Sequence, residues 1–194
     1  MRAKLGLGPQ DVTVGTIARL FHMKGHDDLL EMAPRLCKAF PSLKFLWVGD
    51  GILRGRFEEQ IQRMGLKDHF IFTGLVLPAR IPELTNAMEI VVHPSRREGL
   101  ARAIVQGQLA AKPVIAYDID GNREGFLDGQ SGYLIRPFDR ELFEKRLGEL
   151  LANEKLRKEM GDKGQEFALG RFSSEKMVES LEAVYNESLS KARG

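Results

Sequence analysis

Short apolar runs alternate with longer amphipathic stretches along most of this chain. The apolar runs are 12–18 (VTVGTIA), 43–49 (LKFLWVG), 69–74 (HFIFTG), 89–94 (EIVVHP), 113–118 (PVIAYD) and 131–135 (SGYLI). Their brevity and their β-branched and aromatic residues predict strands. Between them, residues 24–39, 53–64, 81–88 and 100–111 carry a helical period, with a short helix near 123–127. The apolar runs barely alternate with polar residues, as expected of strands covered on both faces. Repeated strand–helix units imply a parallel sheet with right-handed crossovers. The predicted fold is therefore α/β: a doubly wound, Rossmann-like parallel sheet of about six strands flanked by helices. After residue 138 the pattern turns to helices alone, over 140–152, 154–169 and 174–192. The whole chain, 1–194, thus reads as one domain with a helical C-terminal segment at 139–194. Residues 1–10 read as a frayed lead-in. On the last helix Met177, Leu181, Val184, Tyr185 and Leu189 fall at helical spacing and make one apolar stripe.

Charge changes this picture little. The 29 basic and 27 acidic side chains leave a net charge of +2. That gives no whole-surface attraction to nucleic acid or to anionic membrane, so any anion site has to be local. A single cysteine, Cys37, excludes an internal disulfide and fits a reducing compartment; with no leader and no long apolar run, the expected location is cytoplasmic. No metal site is expected. His22, His26, His69 and His93 lack metal-ligand spacing. The stretch DIDGNREGFLDG (118–129) opens like a calcium loop, but Arg123 stands where the turn needs glycine and Gly129 where a bidentate glutamate is needed.

Ligands of doubly wound sheets bind beyond the carboxyl ends of the strands. After the first strand, Arg19 and Lys24 stand five residues apart just before a helix. Two cations beside a helix N-terminus make an anion pocket. After the second strand, GDGILRG (49–55) nearly matches a dinucleotide fingerprint, but it reads better as a turn in which Asp50 or Gly51 enters the next helix. After the fourth strand comes PSRREGLARAIVQ (94–106). Gly99 lets a ligand approach the backbone, and the N–H groups of Gly99, Leu100 and Ala101 are expected to be free at the helix start.

Read in order, the segments RxxxxKG (19–25), VGDG (48–51), FTG (72–74), PSxxEG (94–99), KPVIAYD (112–118) and GNRE (121–124) resemble the donor-binding half of the group 1 glycosyltransferases. These are retaining enzymes of GT-B architecture, with two Rossmann-like domains facing each other across a cleft. The resemblance covers about residues 12–171 and the final helix. It implies hexosyl transfer from a nucleoside diphosphate sugar to an unspecified acceptor, in polysaccharide biosynthesis. It implies that Arg19, Lys24 and Glu98 are the catalytic residues, the first two holding the diphosphate. Glu98 and the amides of Gly99, Leu100 and Ala101 would then meet the donor sugar and phosphates. Phe72, Thr73 and Gly74, with the turn at Gly51, would lie near the base, and Thr16 would belong to the same donor-binding set. The donor's own phosphate would help to deprotonate the acceptor, so neither a metal nor a cofactor is implied.

The implied partners are the nucleotide-sugar and an N-terminal domain that carries the acceptor site. Nucleic acid is not among them, and peripheral membrane association of the intact enzyme is left open. Because the chain begins almost on its first strand, it is expected to be an excised half, inactive without that domain. Two positions depart from the family pattern: Gln106 replaces the second glutamate, which grips the ribose, and Ala101 replaces a glycine. On a helix beginning at Leu100, Glu98 and Gln106 would share a side about 12 Å apart along the axis. A non-catalytic nucleotide-binding module and a nucleotide-sugar epimerase or hydrolase of related shape are the alternatives. A receiver-like domain is disfavoured, because Thr16 and Arg19 occupy the place of its acidic residues.

Overall fold

The computed structural model describes residues 1–192. Strands β1 (Val12–Ile17), β2 (Leu43–Val48), β3 (Phe70–Gly74), β4 (Ile90–His93), β5 (Val114–Tyr117) and β6 (Gly132–Ile135) form one sheet. Its order is β3-β2-β1-β4-β5-β6, with every neighbouring pair parallel. The chain therefore winds outward one way from β1 and then the other way from β4, leaving a switch point between them. Helices α1 (His26–Ala39), α2 (Arg54–Arg63), α3 (Ile81–Asn86), α4 (Arg102–Leu109), α5 (Arg140–Ala152), α6 (Glu154–Arg171) and α7 (Ser174–Ala192) complete the described residues.

The two faces of the sheet account for the unbroken apolar runs. On one face Val14, Phe45, Trp47 and Ile115 pack with Leu29 and Met32 of α1, Phe57 of α2 and Phe143 of α5. On the other face Leu46, Val48, Val91 and Ala116 pack with Leu84 of α3 and Ile104 of α4. Successive residues of β2 thus serve opposite cores, as strand pleating requires. Trp47 is the hub of the first core: the rings of His26, Phe57, Phe70 and Phe72 lie 4.8, 5.3, 5.2 and 5.3 Å from its own.

Several boundaries differ from those the sequence predicts. The lead-in is not frayed. Residues Arg2–Leu5 form a 3-10 turn. Arg2 donates from Nη1 to Glu89 at 2.7 Å and from Nη2 to the carbonyls of Gly8 and Asp11 at 3.0 and 2.6 Å. Glu89 also accepts the Thr13 N–H at 2.6 Å, so one carboxylate ties the lead-in to the entrances of β1 and β4. Helix α1 starts at His26 rather than at residue 24, because Gly25 takes a left-handed φ of 73° after a 3-10 turn over His22–Lys24. Helix α4 starts at Arg102 rather than at residue 100, since Ala101 is extended. A 3-10 turn at Asp120–Glu124 replaces the short helix expected near 123–127.

Every described side chain of α7 is exposed. Its apolar stripe ranges from 48% exposed at Leu181 to 66% at Tyr185. Among the described residues no helix is long and apolar enough to cross a membrane.

Candidate active site

Two loops leave the sheet at the switch point, one after β1 and one after β4. The first is seated on the turn after β2. Leu20 N–H donates to the Asp50 carbonyl at 3.0 Å, and Leu53 N–H donates to the Leu20 carbonyl at 3.2 Å. A Cβ at Gly49 would stand 2.2 Å from the Ala18 oxygen, and one at Gly51 would stand 2.4 Å from the Leu20 oxygen. These glycines are needed for backbone-to-backbone contact, which fixes the loop that carries Arg19.

The second loop is strapped to the first. Arg96 N–H and Ser95 Oγ both donate to the Met23 carbonyl, at 2.9 and 3.1 Å. This strapping brings Lys24 Nζ into an ion pair with Glu98 Oε1. Buried His93 places Nε2 at 3.1 Å from the same oxygen. Burial works to raise the Glu98 pKa, but hydrogen bonds with His93, Lys24 and Ser95 outweigh it and hold the carboxyl down at about 2. Glu98 is accordingly a fixed anion at neutral pH.

A cleft of about 330 Å³ opens between the loops. It brings together Arg19, Lys24, Glu98, Ala101 and Gln106, five of the residues singled out in the sequence. Val76, Pro78 and Ile81 line it from the chain after β3, and Arg102 and Ala103 from the first turn of α4. A wider groove of about 540 Å³ runs along α1 and α5, but it lies at the far end of α1 beneath the Arg35–Glu144 ion pair. That end of the helix leads into the amino edge of the sheet, away from the switch point.

The other singled-out residues stand outside the cleft lining. Thr16 is 1% exposed inside β1. Gly51 sits in the turn described above. Phe72 packs edge-on against Trp47, with the Arg54 guanidinium 5.7 Å from its ring. Thr73 donates its hydroxyl to the Gly74 carbonyl at 2.9 Å, and Gly74 turns the chain at a φ of 67°. Gly99 and Leu100 lie in the bend before α4, where a Cβ on Gly121 would stand 1.9 Å from the Gly99 oxygen. Since α4 begins at Arg102, the N–H groups of Gly99, Leu100 and Ala101 lie in the loop before the helix and not in its first turn, whose leading amides are those of Arg102 and Ala103. Glu98 likewise lies off the helix, so it shares the cleft with Gln106 through the loop's path and not by helical rise.

Arg102 and His93 are the site residues that sequence reasoning missed. An arginine at a helix start reads as a solvated position, and a histidine closing an apolar strand reads as core. Among the described residues neither Arg19 nor Arg102 is ion-paired; Arg19 rests 4.9 Å from the Phe21 ring. The cleft thus holds three cations against one carboxylate, which is already committed to Lys24. No group of three or more His, Cys, Asp or Glu side chains among the described residues is placed to hold a metal ion.

A family model described as "Glycosyl transferases group 1" matches residues 1–167. The chain belongs to the group 1 glycosyltransferases. Among its relatives in this family, EpsD of Bacillus subtilis (strain 168) is 31% identical over 186 residues, covering 96% of this chain and 48% of EpsD. The D-inositol 3-phosphate glycosyltransferase of Segniliparus rotundus is 30% identical over 192 residues, covering 97% of this chain and 42% of that enzyme. The crystal structure of Anabaena HepE in complex with UDP superposes with a TM-score of 0.83 at 26% identity, covering 94% of this chain and 51% of HepE. The chain spans about half the length of the curated relatives it matches.

Proposed function

We propose that this domain binds the nucleoside diphosphate of a nucleotide-sugar, and that the enzyme containing it transfers the sugar with retention of configuration. The observation that carries the reading is the convergence of Arg19, Lys24 and Arg102 with Glu98 and Gln106 on one cleft. When the bond from C1 of the sugar to the phosphate oxygen breaks, the leaving diphosphate gains negative charge. Cations already in place stabilise that charge without reorganising. The acceptor oxygen bonds to C1, and its proton passes to an oxygen of the departing phosphate, so no nucleophile or metal is assigned to this half. Glu98, kept ionised, is suited to accept hydrogen bonds from sugar hydroxyls, and Gln106 to meet the ribose. The acceptor would come from a second domain facing the carboxyl edge. Ile52, Leu75 and Leu77, in the loops after β2 and β3, are 75%, 86% and 74% exposed there and would suit such a cover.

The test is calorimetry with a panel of nucleoside diphosphates on the chain and its variants. Arg19→Ala and Lys24→Ala are each expected to weaken binding by about 1.5–3 kcal/mol, the worth of a charge-assisted hydrogen bond. Unchanged affinity in both variants rules the cleft out as the diphosphate site. A second expectation concerns Gln106. A carboxylate accepts from both ribose hydroxyls, whereas an amide accepts from one and offers N–H to the other. Gln106→Glu should therefore tighten binding by about 0.5–1.5 kcal/mol, and a 2′,3′-dideoxy analogue should erase the gain. Equal binding of ribose and dideoxyribose diphosphates by the variant would place the ribose away from α4.

A further inference from the structure

Behind the cleft lies a second charged group that the reaction does not use directly. Asp28, in the first turn of α1, has a fully buried side chain. It accepts hydrogen bonds from Arg96 Nη2 at 2.9 Å, Arg140 Nε at 2.6 Å and Tyr117 Oη at 2.8 Å. Burial alone would raise its pKa, but the bonds from Arg140, Arg96 and Tyr117 outweigh it and keep the carboxyl below its ordinary range. The two arginines lead to different places. Arg140 opens α5, on the side of the sheet away from the cleft lining. Arg96 belongs to the β4–α4 loop, two residues before Glu98. Its guanidinium is also covered by the Phe138 ring, 4.5 Å away. Phe138 holds a φ of 70°, a left-handed conformation that a bulky residue keeps only where its surroundings enforce it.

We propose that Arg96 is a positioning residue of the donor site: gripped between the Asp28 carboxylate and the Phe138 ring, it holds the β4–α4 loop so that Glu98 meets Lys24. The proposal rests on the reading of the cleft as the donor site. Arg96 is fixed at both ends, since its backbone N–H is bonded to the Met23 carbonyl, one residue before Lys24. The loop between these anchors and α4 is short, so Glu98 has little freedom once both hold. A buried ion pair is a weak source of net stability, because desolvation offsets most of its attraction. What such a pair does supply is one fixed geometry, and the geometry fixed here is that of the catalytic loop. The two arginines on Asp28 are therefore unequal in function: Arg140 is also paired with Glu31 at 3.0 Å, whereas Arg96 ties Asp28 to the β4–α4 loop.

The experiment uses the nucleoside diphosphate that gives the largest thermal shift with the unmodified chain, and measures affinity and melting temperature together. Arg96→Gln should weaken binding about tenfold, within the range of contact-level coupling, while Arg96→Lys, which restores the charge, recovers most of it. Arg140→Gln should lower the melting temperature but change affinity less than about twofold, the usual scatter of independent sites. In a Glu98→Gln background the effect of Arg96→Gln should shrink below about twofold, because a residue acting through Glu98 has nothing left to position. Equal weakening by the two arginine variants overturns the proposal, as does full additivity with Glu98→Gln. Arg19→Ala separates the two levels of inference. If it weakens binding as expected while Arg96→Gln leaves affinity untouched, positioning by Arg96 fails and the donor-site reading stands. If Arg19→Ala has no effect either, or no diphosphate shifts the melting temperature, both fail.

Discussion

Gly25→Ala is expected to lower the stability of the domain by about 2–5 kcal/mol, combining left-handed strain with overpacking, and to abolish binding in the cleft. Gly25 has a φ of 73°, which an alanine adopts only at a cost. The added methyl would also stand 2.0 Å from the Pro94 oxygen and 2.7 Å from its carbonyl carbon. Those are backbone atoms, so no rotamer change relieves the contact. The β4–α4 loop has to move off the β1–α1 loop, and Lys24 and Glu98 part with it. Gly55→Ala is the control: nothing lies within 4 Å of its Cβ position, and it sits inside α2. There alanine should raise stability by up to about 1 kcal/mol through helix propensity. Urea unfolding of both variants checks the pair. A Gly25→Ala protein as stable as its parent would mean that the two loops are not held in this contact.

Acid should weaken the domain well before its carboxylates titrate, and His26 is the cause. The ring is 1% exposed beside Trp47 and Phe57, and both of its nitrogens are buried without a hydrogen-bond partner among the described residues. Burial, with smaller contributions from His93 and Lys24, lowers its pKa from 6.5 to about 3. The unfolded chain takes up a proton below pH 6.5 and the folded chain does not until about pH 3. The unfolded state therefore binds more protons across that window, and stability falls as pH falls through it. The slope is about 1.4 kcal/mol per pH unit, so about 3 kcal/mol is lost by pH 4. Glu98 and Asp28, both held below their ordinary values, add to the loss only where unfolded carboxylates begin to protonate, below about pH 4.5. In His26→Phe the fall between pH 6.5 and 5 should vanish. Denaturant titrations at a series of pH values decide it: an unchanged slope in the variant would assign the acid sensitivity elsewhere.

The fold was legible because its signal is local. Six short apolar runs, each unable to alternate, required a sheet buried on both sides, and the connections between them required parallel pairing. Element boundaries were less legible, because tertiary contacts set them. The start of α1 follows from the left-handed Gly25, and the start of α4 from the bend that carries Glu98. Arg2 is bound to Glu89, 87 residues away, which no local pattern reveals. In the candidate site the loops after β1 and β4 were found by their place at strand ends, and the structure brings Arg19, Lys24, Glu98, Ala101 and Gln106 into one cleft. Thr16, buried in β1, and Phe72, half-buried against Trp47, lie outside that cleft's lining, because the pleat decides which way a strand residue faces. The Asp28–Arg96 bond spans 68 residues and was invisible for the same reason as Arg2.

The exposure of α7 bears on how this domain comes apart. Its 19 residues bury no described side chain, so its helicity depends on propensity and on local pairs such as Lys191–Glu187. Isolated helices near that length are only marginally stable in water. Melting of α7 is therefore uncoupled from the loss of the sheet, and the domain has no single cooperative transition. Two spectroscopic probes should disagree. The lone tryptophan, Trp47, is 1% exposed at the centre of the sheet core, so its fluorescence follows only the later event. Circular dichroism at the helix band sums both events and begins to fall at a lower temperature. Trypsin, offered Lys176 on the exposed helix, should trim the C-terminus while the tryptophan signal stays native.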